Sequence, residues 1–279
     1  SIIHIDEYSA VKKKHIDNFL PTLVDRTEPD LVIFSLLGKS HLNPTDASYE
    51  HIKSKGAKIV FMWPDVFQGW GIPQIEEFNQ KGYADLHVCW GAERNLNTNY
   101  DNLIWLWAPQ DETLYHPTND GVEQSIPVSF LGSVRYPERQ FYLKHLISND
   151  IKILIDGGQR EKGLSPTRYA ELMRHSKISI NFPGGPEGND QCKGRVWEIL
   201  ASKSLLLERK NDPIKNYLKP NVHYVEFEDE NDLIKKINYY LDNDQEREYI
   251  INKGFNVFKK KYNARTFWAS IMKEINCEL

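Results

Sequence analysis

SKISINFPGGPEGNDQCKGRVWEILASKSLLLE, residues Ser176 to Glu208, decides how the rest of the chain is read. A short apolar run, Ile178–Asn181, enters a loop rich in glycine and proline. A helical pattern then starts near Arg195, and a second apolar run follows at Leu205–Leu207. A strand, a Gly-rich loop and a helix N-terminus in that order are what a doubly wound α/β fold uses to hold a phosphorylated ligand. Unpaired backbone N–H groups and the positive end of the helix dipole both favour an anion there. Lys193 and Arg195 stand where they could neutralise a diphosphate. Glu198, one turn into the helix, could accept two hydroxyls of a ribose.

Working outward, short β-rich runs alternate with amphipathic segments, the pattern of parallel sheets with helices on both faces. In the second half strands are expected at Val128–Leu131, Ile151–Ile155, Ile178–Asn181, Leu205–Leu207 and His223–Val225. Helices are expected near Pro137–Ser148, Pro166–His175, Arg195–Ser202 and Asn231–Leu241. The first half repeats the plan. Its strands are read at Ile2–Ile5, Leu31–Leu36, Lys58–Trp63, Leu86–Cys89 and Leu103–Leu106, and its helices near Ala10–Val24, Asp46–Lys55 and Gln74–Gln80. Between the halves, Pro109–Pro127 is polar and broken by proline and glycine, a linker composition. From Asp244 the pattern is helical, with Phe255, Phe258, Phe267, Trp268 and Ile271 as apolar anchors. The opening Ser1–Asp6 reads as a second strand rather than the usual first one. Either the first βα unit is absent from this chain or the family member lacks it.

A length of 279 residues accommodates two domains, and 40% hydrophobic with 27% charged residues is an ordinary globular composition. The net charge of −4 gives nucleic acid no basic face to bind, and the lysine runs Lys12–Lys14 and Lys259–Lys261 read as solvated helix faces. No apolar run is long enough to span a membrane. Cys89, Cys192 and Cys277 form no metal or CxxC pattern, which suits reduced thiols and a cytoplasmic setting. Asp242-Asn243-Asp244 mimics a metal-binding triplet but sits where helix stop and cap residues belong.

Two Rossmann-like halves, a linker and an Arg/Glu-bearing phosphate loop in the second half resemble a GT-B glycosyltransferase. The similarity is greatest to the spore-maturation CgeB-like branch of the group 1 glycosyltransferases. It rests on VSFLGSVRYPER, which supplies Gly132, Arg135 and Arg139, on GRVWEILASKSLLLE, and on the helical tail from Glu226 to Trp268. In the first half EPDLVIF and the strand ending in FMWPD carry it, more weakly. The resemblance implies two doubly wound domains: residues 1–125 on the acceptor side and 126–263 binding the donor, with a terminal helix over 264–279 packing back on the first. It further implies transfer of a sugar from a nucleotide-diphosphate donor to a carbohydrate or other hydroxyl acceptor, with no cofactor and no metal.

The remaining site residues are placed by strand ends. Arg135 and Arg139 follow the strand ending at Gly132. On one helix, i and i+4 would share a face, one binding phosphate and the other pairing with Glu138 or a similar group. Gly158 and Gln159, after the strand ending at Ile155, frame the nucleotide base or form a tight turn that needs glycine. Asp65 ends the strand KIVFMWPD and is a candidate general base or a turn residue. Phe67 to Gly71 beside it suits either a sugar-stacking platform or a loop anchor. His41 is a second candidate base. Glu187 corresponds to the first of two glutamates in retaining relatives but lies too far from Glu198 for their usual spacing. A nucleotide-sugar epimerase of the same fold, or a non-catalytic sugar-nucleotide-binding subunit, are the alternatives.

Overall fold

The computed structural model describes residues 4–12, 14–35, 40–64, 66, 71–91, 100–118, 122–156, 163–184 and 190–276. The chain divides into two compact units, Ser1–Leu106 with Ala269–Leu279, and Trp107–Trp268.

The first unit opens with α1 (Ile5–Lys12), a 3-10 turn at Ile16–Asn18 and α2 (Leu20–Thr27). Then follow β1 (Leu31–Ser35), α3 (Asp46–Ser54), β2 (Lys58–Pro64), α4 (Ile72–Gln80), β3 (Leu86–Trp90) and β4 (Leu103–Trp105). Ile5 therefore starts a helix, so the strand read at Ile2–Ile5 is not present there, and residues 1–3 lie outside the described residues. A short apolar run does not distinguish strand from helix by periodicity alone. The single helix read over Ala10–Val24 is broken between α1 and α2, where His15 caps the 3-10 turn by accepting from the Asp17 N–H. The sheet runs β1-β2-β3-β4 with every neighbour parallel. β2 is buried on both faces over Ile59–Trp63, as parallel strands are, and so reads as one continuous apolar run. Its core is aromatic: Phe61 stacks on Phe78 with centroids 4.4 Å apart and meets Tyr49 edge-on at 5.5 Å. Buried His87 accepts from Trp63 Nε1 (2.9 Å) through Nδ1, leaving Nε2–H to face Asn79 Oδ1 at 3.1 Å. Lys58 Nζ donates to the carbonyl of Ile275, in the C-terminal segment that clusters with this unit.

The second unit holds β5 (Ile126–Leu131), α5 (Pro137–Ser148), β6 (Ile153–Asp156), α6 (Pro166–Arg174), β7 (Ser176–Asn181), α7 (Gly194–Ala201), β8 (Leu205–Arg209) and β9 (Val225–Phe227). α8 (Glu230–Asp242), α9 (Asp244–Val257) and a π turn at Phe258–Tyr262 follow, and α10 (Ala264–Glu274) starts in this unit, its residues from Ala269 on clustering with the first. Proline at N1 pre-sets the first turn of α5 and of α6, and Ser165 caps α6 by accepting from the Arg168 N–H. The strand read at His223–Val225 starts instead at Val225. Asn221 takes a left-handed φ of 56° and residues 221–223 form a turn. The lysines at 259–261 are exposed, as read. Trp268 is also exposed, at 37%, because the buried positions are Phe267 and Ile271 of α10 and Ile275 just past its end, a four-residue spacing that excludes it.

All strands of this sheet are parallel, in the order β6-β5-β7-β8-β9. The first strand thus lies between the second and the third. In such an order the chain turns to opposite faces after β5 and β7, and ligands bind at the carboxyl ends of those two strands. No helix among the described residues is long and apolar enough to cross a membrane.

Candidate functional site: the carboxyl ends of β5 and β7

Gly132 follows β5 and Asn181 ends β7, and the Arg195 guanidinium from the first turn of α7 lies between them. A Cβ built on Gly132 would stand 2.1 Å from Arg195 Nη2, so only a glycine leaves room for that group. Arg195 Nη1 donates to Asn181 Oδ1 (2.8 Å), its Nε donates to the Tyr169 hydroxyl (3.3 Å), and its Cζ lies 5.4 Å from the centre of the Phe130 ring. Burial works against the charge, but Tyr169, Glu198 and Glu208 together hold the guanidinium above its ordinary pKa.

Arg139, only 5% exposed, covers the same Phe130 ring at 5.9 Å. Its Nη1 donates to the Ser133 carbonyl (2.9 Å) and its Nη2 to the Gly184 carbonyl (3.3 Å). Burial first, and then the like charge of Arg195, push it down to about 10. Tyr136 lies against both Arg139 (4.5 Å) and Arg135 (5.1 Å). Its hydroxyl accepts from Arg135 Nη2, and that bond, with the charges of Arg135, Arg139 and Lys193, lowers its pKa. Lys193 is the residue before the first turn of α7, and its Nζ donates to Gln191 Oε1. Four cations therefore converge on one strand end. Among the described residues neither Arg139 nor Arg195 forms an ion pair with a carboxylate.

Glu198 accepts from the Tyr169 hydroxyl at 3.1 Å and from the Tyr115 hydroxyl. Burial raises its pKa while Arg195 and the two hydroxyls oppose the rise. Tyr169 also faces the Leu131 carbonyl (3.1 Å), which ties Glu198 and Arg195 to the end of β5. Below this layer, Asn181 Nδ2 donates to Glu208 Oε2 (2.7 Å), and Asn211 Nδ2 donates to Glu208 Oε1 (3.1 Å). Both Asn181 and Glu208 are fully buried, and burial raises the Glu208 carboxyl against the pull of the two amides and Arg195.

Of the residues singled out in the sequence, Gly132, Arg135, Arg139, Lys193, Arg195 and Glu198 are thus gathered in the second unit. Two details differ. α5 starts at Pro137, so Arg135 precedes the helix and does not share a face with Arg139. Glu138 pairs with neither arginine: Arg209 Nε grips its Oε1 at 2.6 Å while Arg209 Nη2 grips Asp190 Oδ1 at 2.6 Å. Asp65, Gly158, Gln159 and Glu187 lie outside the described residues, as do Phe67, Gln68, Gly69 and Trp70. His41 sits exposed in a turn of the first unit, where its carbonyl accepts from His15 Nε2 (3.0 Å).

Tyr115, Tyr136, Tyr169, Asn181, Glu208 and Arg209 were not foreseen. Its place at the last position of β7, where the chain enters the glycine-rich stretch, was a readable sign for Asn181. Tyr115 carried none, since it lies in the segment read as a linker. That segment packs within the second unit: Gln110 Nε2 donates to the Gly194 carbonyl (3.2 Å), and the Leu114 carbonyl accepts from Arg174 Nη2 (2.6 Å).

Two parallel α/β sheets define the GT-B glycosyltransferase fold, and solved members share it across nearly the whole chain. HepE of Anabaena in complex with UDP is similar over 92% of this chain and 81% of its own, with a TM-score of 0.59 at 10% identity. A mutant of S. aureus TarM, bound to fondaparinux, alpha-GlcNAc-glycerol and UDP, matches 92% of this chain and 58% of its own, with a TM-score of 0.62 at 12% identity. A glycosyltransferase from Rickettsia africae covers 92% and 80%, with a TM-score of 0.61 at 14% identity. No curated protein matches the sequence. The chain belongs to the glycosyl transferase-like family, whose model matches residues 114–273, more than half of its length.

Proposed function

We propose that the protein transfers a sugar from a nucleotide-diphosphate sugar to a hydroxyl acceptor, in the cytoplasm and without a metal or other cofactor. One observation carries this: the buried Arg139 and the half-buried Arg195 share the Phe130 ring, and among the described residues no carboxylate is ion-paired with either guanidinium. Like charges held that close in a poorly solvated place are relieved by an anion. A diphosphate supplies one, and it gathers charge as the glycosidic bond to the sugar breaks. Charged hydrogen-bond donors already in place stabilise that charge without reorganising. Lys193 and Arg135 add to the same field, and Gly132 lets the backbone approach.

In this reading Glu198 accepts the ribose hydroxyls while Tyr115 and Tyr169 hold its carboxylate in position. Gly158 and Gln159 frame the base, and Asp65 takes the acceptor proton, with His41 as the second choice and Glu187 beside the sugar. The UDP in the HepE and TarM structures supports uracil as the first base to try. The buried Cys89 and Cys192 thiols support a reducing compartment. We also place the chain in the CgeB-like branch, on its phosphate loop and C-terminal helices.

The test is a panel of UDP-, GDP- and dTDP-sugars, each with and without hydroxyl acceptors and with and without EDTA. Release of the nucleoside diphosphate with a new glycoside, undiminished by EDTA, is the expected result. An epimerised sugar formed without acceptor would make the protein an epimerase. No turnover with any donor, alongside tight binding, would make it a binding subunit. Loss of activity in EDTA, restored by magnesium or manganese, would overturn the metal-free part.

A further inference from the structure

Glu208 is a carboxylate with no exposure at all, placed at the end of β8 directly beside Asn181 of β7. A buried carboxylate is disfavoured unless hydrogen bonds offset its lost solvation, so its partners matter. Asn211 is pinned, since its Oδ1 accepts from the Ile214 N–H (3.1 Å) and its Nδ2 donates to the Arg209 carbonyl (2.8 Å). It can only offer Glu208 an N–H. Asn181 is pinned from its other side, because its Oδ1 accepts from Arg195 Nη1 (2.8 Å). It too offers Glu208 an N–H (2.7 Å). Two donors face Glu208, which suits a carboxylate, the one side chain of this shape that only accepts.

We propose that Glu208 is a positioning residue: by accepting from Asn181 it fixes which way that amide points, and the amide in turn holds the Arg195 guanidinium against Gly132. The proposal rests on the reading of Arg195 as a diphosphate ligand only for its consequence in binding. The positional link stands on the hydrogen bonds alone. Without an acceptor behind it, the Asn181 amide is free to turn and present N–H to Arg195, a donor facing a donor.

The substitution Glu208→Gln makes the argument sharp. Glutamine brings one acceptor and one donor to a place flanked by two donors. Because Asn211 is locked, the glutamine oxygen must face it, and the glutamine N–H then forces Asn181 to turn away from Arg195. Adding Asn181→Asp repairs the order: glutamine accepts from Asn211 and donates to the aspartate, whose second oxygen accepts from Arg195. A role for Glu208 in filling space alone predicts no such repair.

Crystal structures of the parent, E208Q and the N181D/E208Q double variant would read the outcome directly, with UDP and uridine titrations alongside. We expect Arg195 displaced from Gly132 in E208Q, with UDP bound about tenfold more weakly and uridine little changed, as for one lost bond to a charged group. We expect Arg195 back in place in the double variant, which also serves if E208Q alone does not fold. Arg195 unmoved in E208Q, or displaced equally in the double variant, would overturn the proposal. If Arg195 moves while the parent and Arg195→Ala bind UDP equally, the positional link holds and the diphosphate role of Arg195 falls.

Discussion

Gly132 and Arg195 occupy one place between them: a methyl group on the glycine would fall 2.1 Å from Nη2 of the arginine. The obstructing atom is the far end of a flexible side chain, so the fold can yield where the site cannot. Gly132→Ala should therefore leave the melting temperature nearly unchanged while weakening UDP as much as Arg195→Ala does. Calorimetric titration beside thermal unfolding checks this. A large stability loss, or parental UDP affinity, would contradict it.

Arg195→Ala should weaken a nucleoside diphosphate roughly ten- to a hundredfold, since a hydrogen bond to a charged group contributes about 1.5–3 kcal/mol. The nucleoside should be little affected. Glu198→Gln should weaken both ligands alike, because both carry the ribose. Titrating each variant with UDP and uridine separates the two roles, and a Glu198→Gln variant impaired only for UDP would reassign Glu198.

Gly254 tests a contact of the opposite kind. It lies inside α9, where a Cβ would come within 2.5 Å of the His223 carbonyl oxygen and 2.8 Å of Leu200 Cδ2. Alanine is favoured over glycine in a helix interior by about 1 kcal/mol. Overpacking against backbone costs about 1–3 kcal/mol and should prevail. Gly254→Ala should lower the melting temperature, and a rise would show that α9 shifts freely.

His87 makes the first unit sensitive to acid. Burial lowers its pKa to about 3 from an ordinary 6.5, so the folded protein refuses a proton that the unfolded chain accepts. Stability should be full above about pH 6.5 and fall by up to about 1.4 kcal/mol for each pH unit below it. Protonation at Nδ1 would also break the bond from Trp63. Denaturation curves at about pH 7.5 and pH 5.5 should show the loss in the parent and a smaller one in His87→Gln. Equal slopes would assign the acid sensitivity elsewhere.

The segment from β7 to β8 was legible because Leu205–Leu207 of β8, buried on both faces, reads as an unbroken apolar run, and because α7 carries its buried residues at helical spacing. Pro137 and Pro166 marked helix starts without ambiguity. Element ends were harder to read. Val225 starts its strand only after a left-handed Asn221, and Trp268 falls one position off the buried stripe of α10. In the site, the gathering of Arg135, Arg139, Lys193 and Arg195 was legible from their places after strand ends and at a helix start. Their partners were not, because Tyr115, Tyr169 and Asn181 reach Glu198 and Arg195 only through the packing of separate elements. Glu138 shows the limit of reasoning from neighbours in sequence, since this α5 residue takes its partner, Arg209, from β8.

The polar stretch ahead of β5 sets where the chain can be cut. A fragment begun at Ile126 would look complete by its strands, yet it would lack Tyr115, the second hydroxyl on Glu198. It would also leave Arg174 Nη2 without the Leu114 carbonyl and the Gly194 carbonyl without Gln110. Severing at Trp107 keeps all three. A second half excised at the linker-like composition would thus carry Arg135, Arg139, Lys193 and Arg195 and still hold Glu198 incorrectly.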